Sequence, residues 1–245
     1  MKKSLLKTLV VAAAALAANP ASADHRSIKP EDSSTFIPIV RLSADLAPRG
    51  EAPAVPHSGH GLEFAFSGAS GNDDQSRRAG APSLVFGGQT FASGTGLHHD
   101  FDFRFAELAY RFRHFFNERF GIEALGGVGY AEYELTVSAG AQTASEKLGS
   151  GGLVGGFGII WKFLPQTSLQ SRLTIFGSGE NEGVSGAARA DVCVVHALGR
   201  NAAVRAGLTS WGLVSNREED EDFATLNSEI RARFSGISLG LDVAF

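Results

Sequence analysis

The sequence predicts an all-β fold, an eight-stranded antiparallel up-and-down transmembrane β-barrel, and three observations lead to it. The chain ends in strict alternation, with small or polar residues between five apolar ones: Ile237, Leu239, Leu241, Val243 and Phe245. Residues 1–23 have the composition of a secretory signal. No later stretch has the roughly 18 consecutive apolar residues of a membrane helix. An exported chain of this kind can therefore span a membrane only as a closed barrel.

Residues 1–23 are predicted to be a cleaved signal peptide. Lysines precede a ten-residue apolar core, Leu9 to Ala18, and Ala21-Ser-Ala23 forms a small-x-small cleavage site. Residues 24–59 are predicted to be a periplasmic tail, because five of the eight prolines lie there and proline cannot donate to a sheet ladder. Residues 60–245 are assigned to the barrel.

Eight alternating segments are predicted as strands: 62–66, 97–112, 120–137, 153–163, 169–176, 184–197, 203–213 and 229–245. An even number places both chain ends in the periplasm and the longer connections outside. The long connection 67–96 is expected to fold over itself as a hairpin. A ten-strand alternative adds 36–42 and 84–91, although Pro38 argues against a central strand there.

The apolar phase shifts by one residue inside two of these strands. In the second strand, the alternation of Phe101, Phe103 and Phe105 gives way to Ala106 and Leu108. Such a shift predicts either a β-bulge or a strand that leaves the membrane.

Four features resemble the small outer-membrane barrels of Gram-negative bacteria, such as the OmpA-type transmembrane domain and the opacity proteins. They are AELAYRF at 106–112, GIEALGGVGY at 121–130, the aromatic strand end at Trp161 and Phe163, and the terminal Phe245. The resemblance implies an outer-membrane location, with lipid and lipopolysaccharide as surroundings. It also implies that the barrel-assembly machinery recognises Leu241, Val243 and Phe245 as an assembly signal.

The face opposite the apolar one carries balanced charges. Five acids and five bases are expected inside the barrel: Glu63, Glu107, Glu123, Asp191 and Asp242, and Arg111, Lys162, Arg172, Arg189 and Arg205. An eight-stranded barrel is just wide enough for side chains to fill it, and buried charges need partners. We therefore expect a cross-braced interior charge network, with a narrow pore as the alternative.

Two further groups are candidate sites. His98, His99 and Asp100, with Asp73 and Asp74, are expected at the outer rim, where they have the chemistry of a hydrolytic or metal site or of an ordinary polar rim. Arg231 and Arg233 are expected either to contact lipopolysaccharide phosphates or to turn inward at a bulge at Ser235-Gly236.

The predicted function is structural or adhesion-like, through the loops 67–96 and 214–228. The alternatives are a small-solute channel, a rim enzyme acting on lipid A or peptide, and a soluble periplasmic carrier. With 22 basic and 26 acidic residues, the chain does not predict a nucleic-acid partner. No catalytic residue, metal site or cofactor is predicted, and the protein is expected to be a monomer. Its one cysteine, Cys193, excludes an internal disulfide.

Overall fold

The computed structural model describes residues 33–46, 57–76, 83–92, 94–179, 183–199, 201–217 and 228–244. Among these, nine strands form one closed barrel: β1 (Ser33–Asp45), β2 (His57–Ser76), β5 (Gly96–Phe115), β6 (Phe120–Ala139), β7 (Gln142–Leu164), β8 (Thr167–Gly177), β9 (Gly183–Ala197), β10 (Ala202–Arg217) and β11 (Ser228–Ala244). Two short strands, β3 (Leu84–Phe86) and β4 (Gln89–Phe91), form a separate hairpin. No helix in these described ranges is long and apolar enough to cross a membrane.

The barrel closes through a parallel pair. β1 lies between β11, with which it is parallel, and β2, with which it is antiparallel. The predictions of eight and of ten strands are both wrong, because 36–42 is a barrel strand whereas 84–91 is not. An all-β barrel itself is confirmed.

Pro38 is tolerated in β1 because of where the ladders begin. The β1–β2 register starts at Ile39, one residue after the proline, so no β2 partner loses a bond to the missing N–H. The neighbouring Ile37 and Ile39 are almost fully buried inside the barrel. The predicted tail 24–59 is thereby corrected where it contains β1 and the start of β2. Residues 1–32 and 47–56, with the rest of the tail and the signal peptide, lie outside the described residues.

The connections between strands define the two ends of the barrel. We call the end with the connections 46–56, 116–119, 165–166 and 198–201 the turn end, and the end with 77–95, 140–141, 178–182 and 218–227 the loop end. β1 begins on the loop-end side, where Ser33 pairs with Phe234 six residues into β11, and β11 finishes at the turn end, where Val243 pairs with Ala202. The predicted parity is therefore wrong, since an odd strand count puts the first and last strand termini at opposite ends.

The phase shift in β5 involves no bulge, because its registers with β2 and β6 run without interruption. Phe103 and Phe105 point into the barrel and are buried, whereas Leu108 and Tyr110 point outward and are half exposed. The apolar side of the strand therefore changes from inside to outside between residues 105 and 108. The register of β11 is likewise continuous, so the bulge at Ser235-Gly236, one of the two alternatives for Arg231 and Arg233, is not present.

The predicted hairpin within 67–96 is confirmed by β3 and β4. Gly87 and Gly88 form its two-residue turn with φ of 55° and 73°, the left-handed conformation that such turns require. Phe86 and Phe91 are buried in the hydrophobic cluster that fills the loop end. The backbone N–H of Gly87 donates to Glu146 Oε1 on β7 over 2.9 Å. The hairpin thus folds inward and packs against that cluster.

Candidate functional site

The interior of the barrel has two layers. Towards the loop end lies an aromatic layer made of Phe101, Phe103, Phe105, Trp211 and Phe234. Towards the turn end lies the interior charge network. The main candidate site is this network together with the mouth that it lines.

The aromatic layer is packed ring against ring. Phe103 and Phe105 each contact Trp211 edge to face, with centroid distances of 4.8 and 5.0 Å, and Phe101 stacks on Phe234 at 5.3 Å. All five rings are at most 5% exposed. Edge-to-face and offset pairs of this kind are favourable beyond their buried area. The layer therefore obstructs the barrel lumen with close-packed side chains.

The centre of the charge network is Arg172 on β8. It donates from Nε to Glu123 Oε1 over 2.7 Å and from both Nη atoms to Glu63. Arg111 Nη1 donates to Glu63 Oε2 over 2.9 Å, and Arg113 Nε donates to Glu123 Oε2 over 3.0 Å. Each carboxylate is thus shared by more than one guanidinium group, which compensates much of the cost of burying the charges.

A second group joins the network to the aromatic layer. Arg189 donates to Glu107 Oε1 and to Asp191 Oδ2, both over 2.9 Å. Its guanidinium also lies over the ring of Trp211, 5.2 Å from the centroid. Thr209 donates its hydroxyl to Asp191 Oδ1 over 2.7 Å. The two layers are therefore in direct contact through one arginine.

Arg205 and Asp242 form the third group, through two parallel hydrogen bonds of 2.9 Å each. Lys162 is the one predicted member that the structure does not bring into the network. Its ammonium group lies over the ring of Phe115, 4.2 Å from the centroid, near the turn end. Nine of the ten predicted residues thus meet inside the barrel.

Sequence reasoning missed two arginines of the network. Arg41 on β1 is buried and lies 3.4 Å from Asp191 and 3.9 Å from Glu63, and Arg113 pairs with Glu123 as described above. Arg41 was missed because its strand was assigned to a tail. The signal was present, since Arg41 alternates with Ile37 and Ile39 on one face.

The predicted rim residues divide between the two faces of β5. His98 is on the outer face, where Nδ1 is 2.6 Å from Asp74 Oδ1 and Nε2 is 3.3 Å from Asp100 Oδ1. The hydrogen bond to Asp74 and the charge of Asp100 raise the pKa of His98. His99 is buried on the inner face. Among the described residues no group of three or more His, Cys, Asp or Glu is placed to hold a metal ion.

The predicted assembly-signal residues and the two predicted arginines of β11 lie on its outer face where they are described. Leu241 and Arg233 are exposed, and Val243 is half-buried near the turn end. The side chain of Arg231 and the whole of Phe245 lie outside the described residues, so the calls on them stay predictions.

The outer surface of the barrel also changes along its length. Around the turn-end half, exposed apolar side chains form a belt over every strand, for example Val40 on β1, Phe64 on β2, Leu108 on β5 and Leu239 on β11. Around the loop-end half the surface is polar. There, Arg104 pairs with Asp102 at 3.0 Å and with Glu132 at 3.6 Å, and Lys147 pairs with Glu132 at 3.0 Å. The apolar surface is therefore outside at the turn end and inside at the loop end.

No family model, curated protein or solved structure matches this chain. The likeness to OmpA-type and opacity barrels stays a prediction that rests on the sequence motifs. The function is accordingly argued from the geometry of the barrel.

Proposed function

We propose that this protein is an integral barrel of a Gram-negative outer membrane with a structural or surface-interaction role. In this arrangement the turn-end half crosses the membrane. The loop-end half stands above the lipid as a rigid cap that presents the outer loops. One observation supports this proposal: the apolar side chains face outward in the turn-end half of the barrel and inward in the loop-end half.

The apolar belt is what favours a membrane. Among the described residues, 28 large hydrophobic side chains are exposed, and most of them lie in the belt. Soluble proteins rarely expose contiguous apolar patches of more than a few hundred Å². Such a belt around a polar interior is the arrangement of transmembrane barrels. The aromatic pair Trp161 and Phe163 lies at the turn-end edge of the belt, where an interfacial girdle is expected.

Strand lengths favour a cap above the lipid. A tilted strand crosses the hydrocarbon core in about 9–11 residues, whereas β5 has 20 residues and β7 has 23. The outward residues of β5 are apolar only towards the turn end, and Asp102 and Arg104 continue the same face towards the loop end. The remaining length is therefore suited to water and to contact with molecules outside the cell.

The filled interior argues for interaction rather than transport. The aromatic layer and the charge network both lie across the lumen, and the β3–β4 hairpin packs above them. On this reasoning, planar bilayers containing the purified protein should show no steady openings of reproducible size. Such openings would favour the channel alternative instead.

Cysteine labelling in intact cells tests the orientation. In a C193S background, D102C on the cap should react with a membrane-impermeant maleimide, whereas L239C in the belt should not. N201C in a turn-end connection should react only after the outer membrane is permeabilised. Equal labelling of all three sites in the soluble fraction of a cell extract would refute the membrane proposal. Labelling of N201C but not D102C in intact cells would refute the orientation.

A further inference from the structure

The turn end of the barrel contains a pocket of about 180 Å³. Its polar lining comes from the ends of strands on opposite sides of the barrel, and includes Arg41, Arg111, Arg113, Gln170, Glu63 and Asp242. Three guanidinium groups thus converge on one concave site that opens away from the aromatic layer. This pocket is separate from the loops on which the proposed function depends.

Among the inward-facing side chains that the structure describes, arginines outnumber carboxylates around this pocket. The charge network of the turn-end half contains six arginines and five carboxylates: Arg41, Arg111, Arg113, Arg172, Arg189 and Arg205 against Glu63, Glu107, Glu123, Asp191 and Asp242. A guanidinium group has five N–H donors and no acceptor, so an excess of arginine is an excess of donors. An uncompensated buried charge is costly, and a bound anion removes that cost.

The two carboxylates of the pocket are already engaged. Both oxygens of Asp242 accept from Arg205 over 2.9 Å, and the oxygens of Glu63 accept from Arg111 and Arg172. They therefore neutralise Arg205, Arg111 and Arg172, and they leave little capacity for Arg41.

Arg41 is the least compensated of these cations. It is 3% exposed, yet its Nε has no hydrogen-bond acceptor among the described residues. Its contacts are long, at 3.9 Å to Glu63 Oε1 and 3.4 Å to Asp191 Oδ2. Asp191 in turn has shorter bonds to Arg189 and Thr209. Arg41 is thus a buried, under-compensated donor in the wall of the pocket.

We propose that the turn-end pocket is a binding site for a small oxyanion of the size of phosphate or acetate. Arg41 and Arg113 supply charge-assisted donors, and Gln170 supplies a neutral polar group at the wall. Guanidinium groups are suited to this ligand because their planar donor pairs match carboxylate and phosphate oxygens. The site is reached from the turn end, which faces the periplasm in the orientation proposed above.

Nuclear magnetic resonance of the arginine Nε–H groups tests the site directly. The purified protein in zwitterionic micelles is titrated with sodium phosphate, and separately with sodium acetate, while sodium chloride keeps the ionic strength constant. We expect a saturable shift of the Arg41 signal with at least one oxyanion. No saturable shift with either probe would overturn the proposal. The same shift with chloride alone would also overturn it, because the site would then be only a non-selective positive surface.

Two variants and one control locate the effect. R41Q leaves Asp191 with Arg189 and Thr209, and R113Q leaves Glu123 with Arg172, so neither deprives a carboxylate of its last partner. Each is expected to weaken oxyanion binding about tenfold, as loss of a charge-assisted hydrogen bond predicts. R104Q, which removes a guanidinium group from the outer surface, should leave it unchanged. If R41Q does not fold, R113Q decides alone, because Arg113 lies at the mouth and is partly exposed. Equal losses in R104Q and R113Q would contradict the assignment.

Discussion

Glu63 and Arg172 join opposite walls of the barrel. Glu63 lies on β2 and Arg172 on β8, four places apart in the ring of nine strands, and both Nη atoms of Arg172 donate to Glu63. The residues are 109 positions apart in the chain. Both are at most 3% exposed. A single ion pair therefore braces the barrel across its full width.

Loss of this brace should destabilise the folded barrel. R172M leaves Glu63 and Glu123 buried with fewer partners, and removal of one member of a buried ion pair typically costs about 3–5 kcal/mol. We expect a loss of this size in the free energy of unfolding, measured by urea titration in lipid vesicles. The control R104M removes the two surface ion pairs of Arg104 and should cost less than about 1 kcal/mol. Equal effects of the two changes would contradict a bracing role.

Closure by β1 can be tested with a disulfide. Val40 and Leu241 are paired across β1 and β11 and both face outward. Neighbouring strands are about 4.8 Å apart, within the range that a disulfide spans. In a C193S background, V40C/L241C should therefore cross-link on oxidation in the membrane. V40C/V204C is the matched control, since Val204 lies one strand further on, about 10 Å away, and should not cross-link. A cross-link in the control alone would refute the nine-strand closure.

Alternation along the chain was enough to locate most of the barrel strands, because residues on one face of a strand recur with period two. It was not enough to count them. Pro38 argued against β1, and whether a proline disrupts a sheet depends on which neighbour its nitrogen faces, which is a property of the assembled ladder. Because β1 was not predicted as a barrel strand, Arg41 was not predicted as a member of the charge network. The change in the apolar phase after Phe105 was visible in the sequence. Only the continuous register of β5 shows that the apolar side chains move from the inner to the outer face without a bulge.

The aromatic layer should be a major source of stability in the cap. Trp211 is 2% exposed and contacts Phe103, Phe105 and Arg189. W211A should lower the free energy of unfolding by about 3–5 kcal/mol, because it leaves a large cavity in a packed interior. W161A is the matched control. Trp161 is half exposed on the outer face, so its loss should cost less than about 2 kcal/mol. A larger loss of unfolding free energy in W161A than in W211A would contradict a major stabilising role for the aromatic layer.

His98, at the rim of the barrel, should have a pKa above the ordinary value for histidine. The hydrogen bond to Asp74 and the charge of Asp100 favour the protonated ring and raise the pKa of His98. Because the pKa is raised in the folded state, this contact stabilises the fold at low pH. The stabilisation is complete when the pH is below the ordinary pKa of histidine. Its contribution is lost as the pH rises through the raised pKa. We expect D74N to lower the pKa of His98, followed by the imidazole signals in a pH titration. An unchanged pKa would show that the Asp74 contact is not formed in solution.

A charge introduced into the belt separates a membrane barrel from a soluble one. Leu239 and Ser235 lie on the same face of β11, but Leu239 is within the belt and Ser235 is at its edge near Arg233. In a bilayer, L239R should cost about 2–4 kcal/mol, because arginine near the midplane loses its hydration, whereas S235R should cost less than about 1 kcal/mol. The measurement is the free energy of unfolding from lipid vesicles. In a soluble carrier both side chains would face water, and a new arginine would be tolerated equally at either place. Closely similar effects of L239R and S235R would therefore contradict the assignment of the belt to lipid.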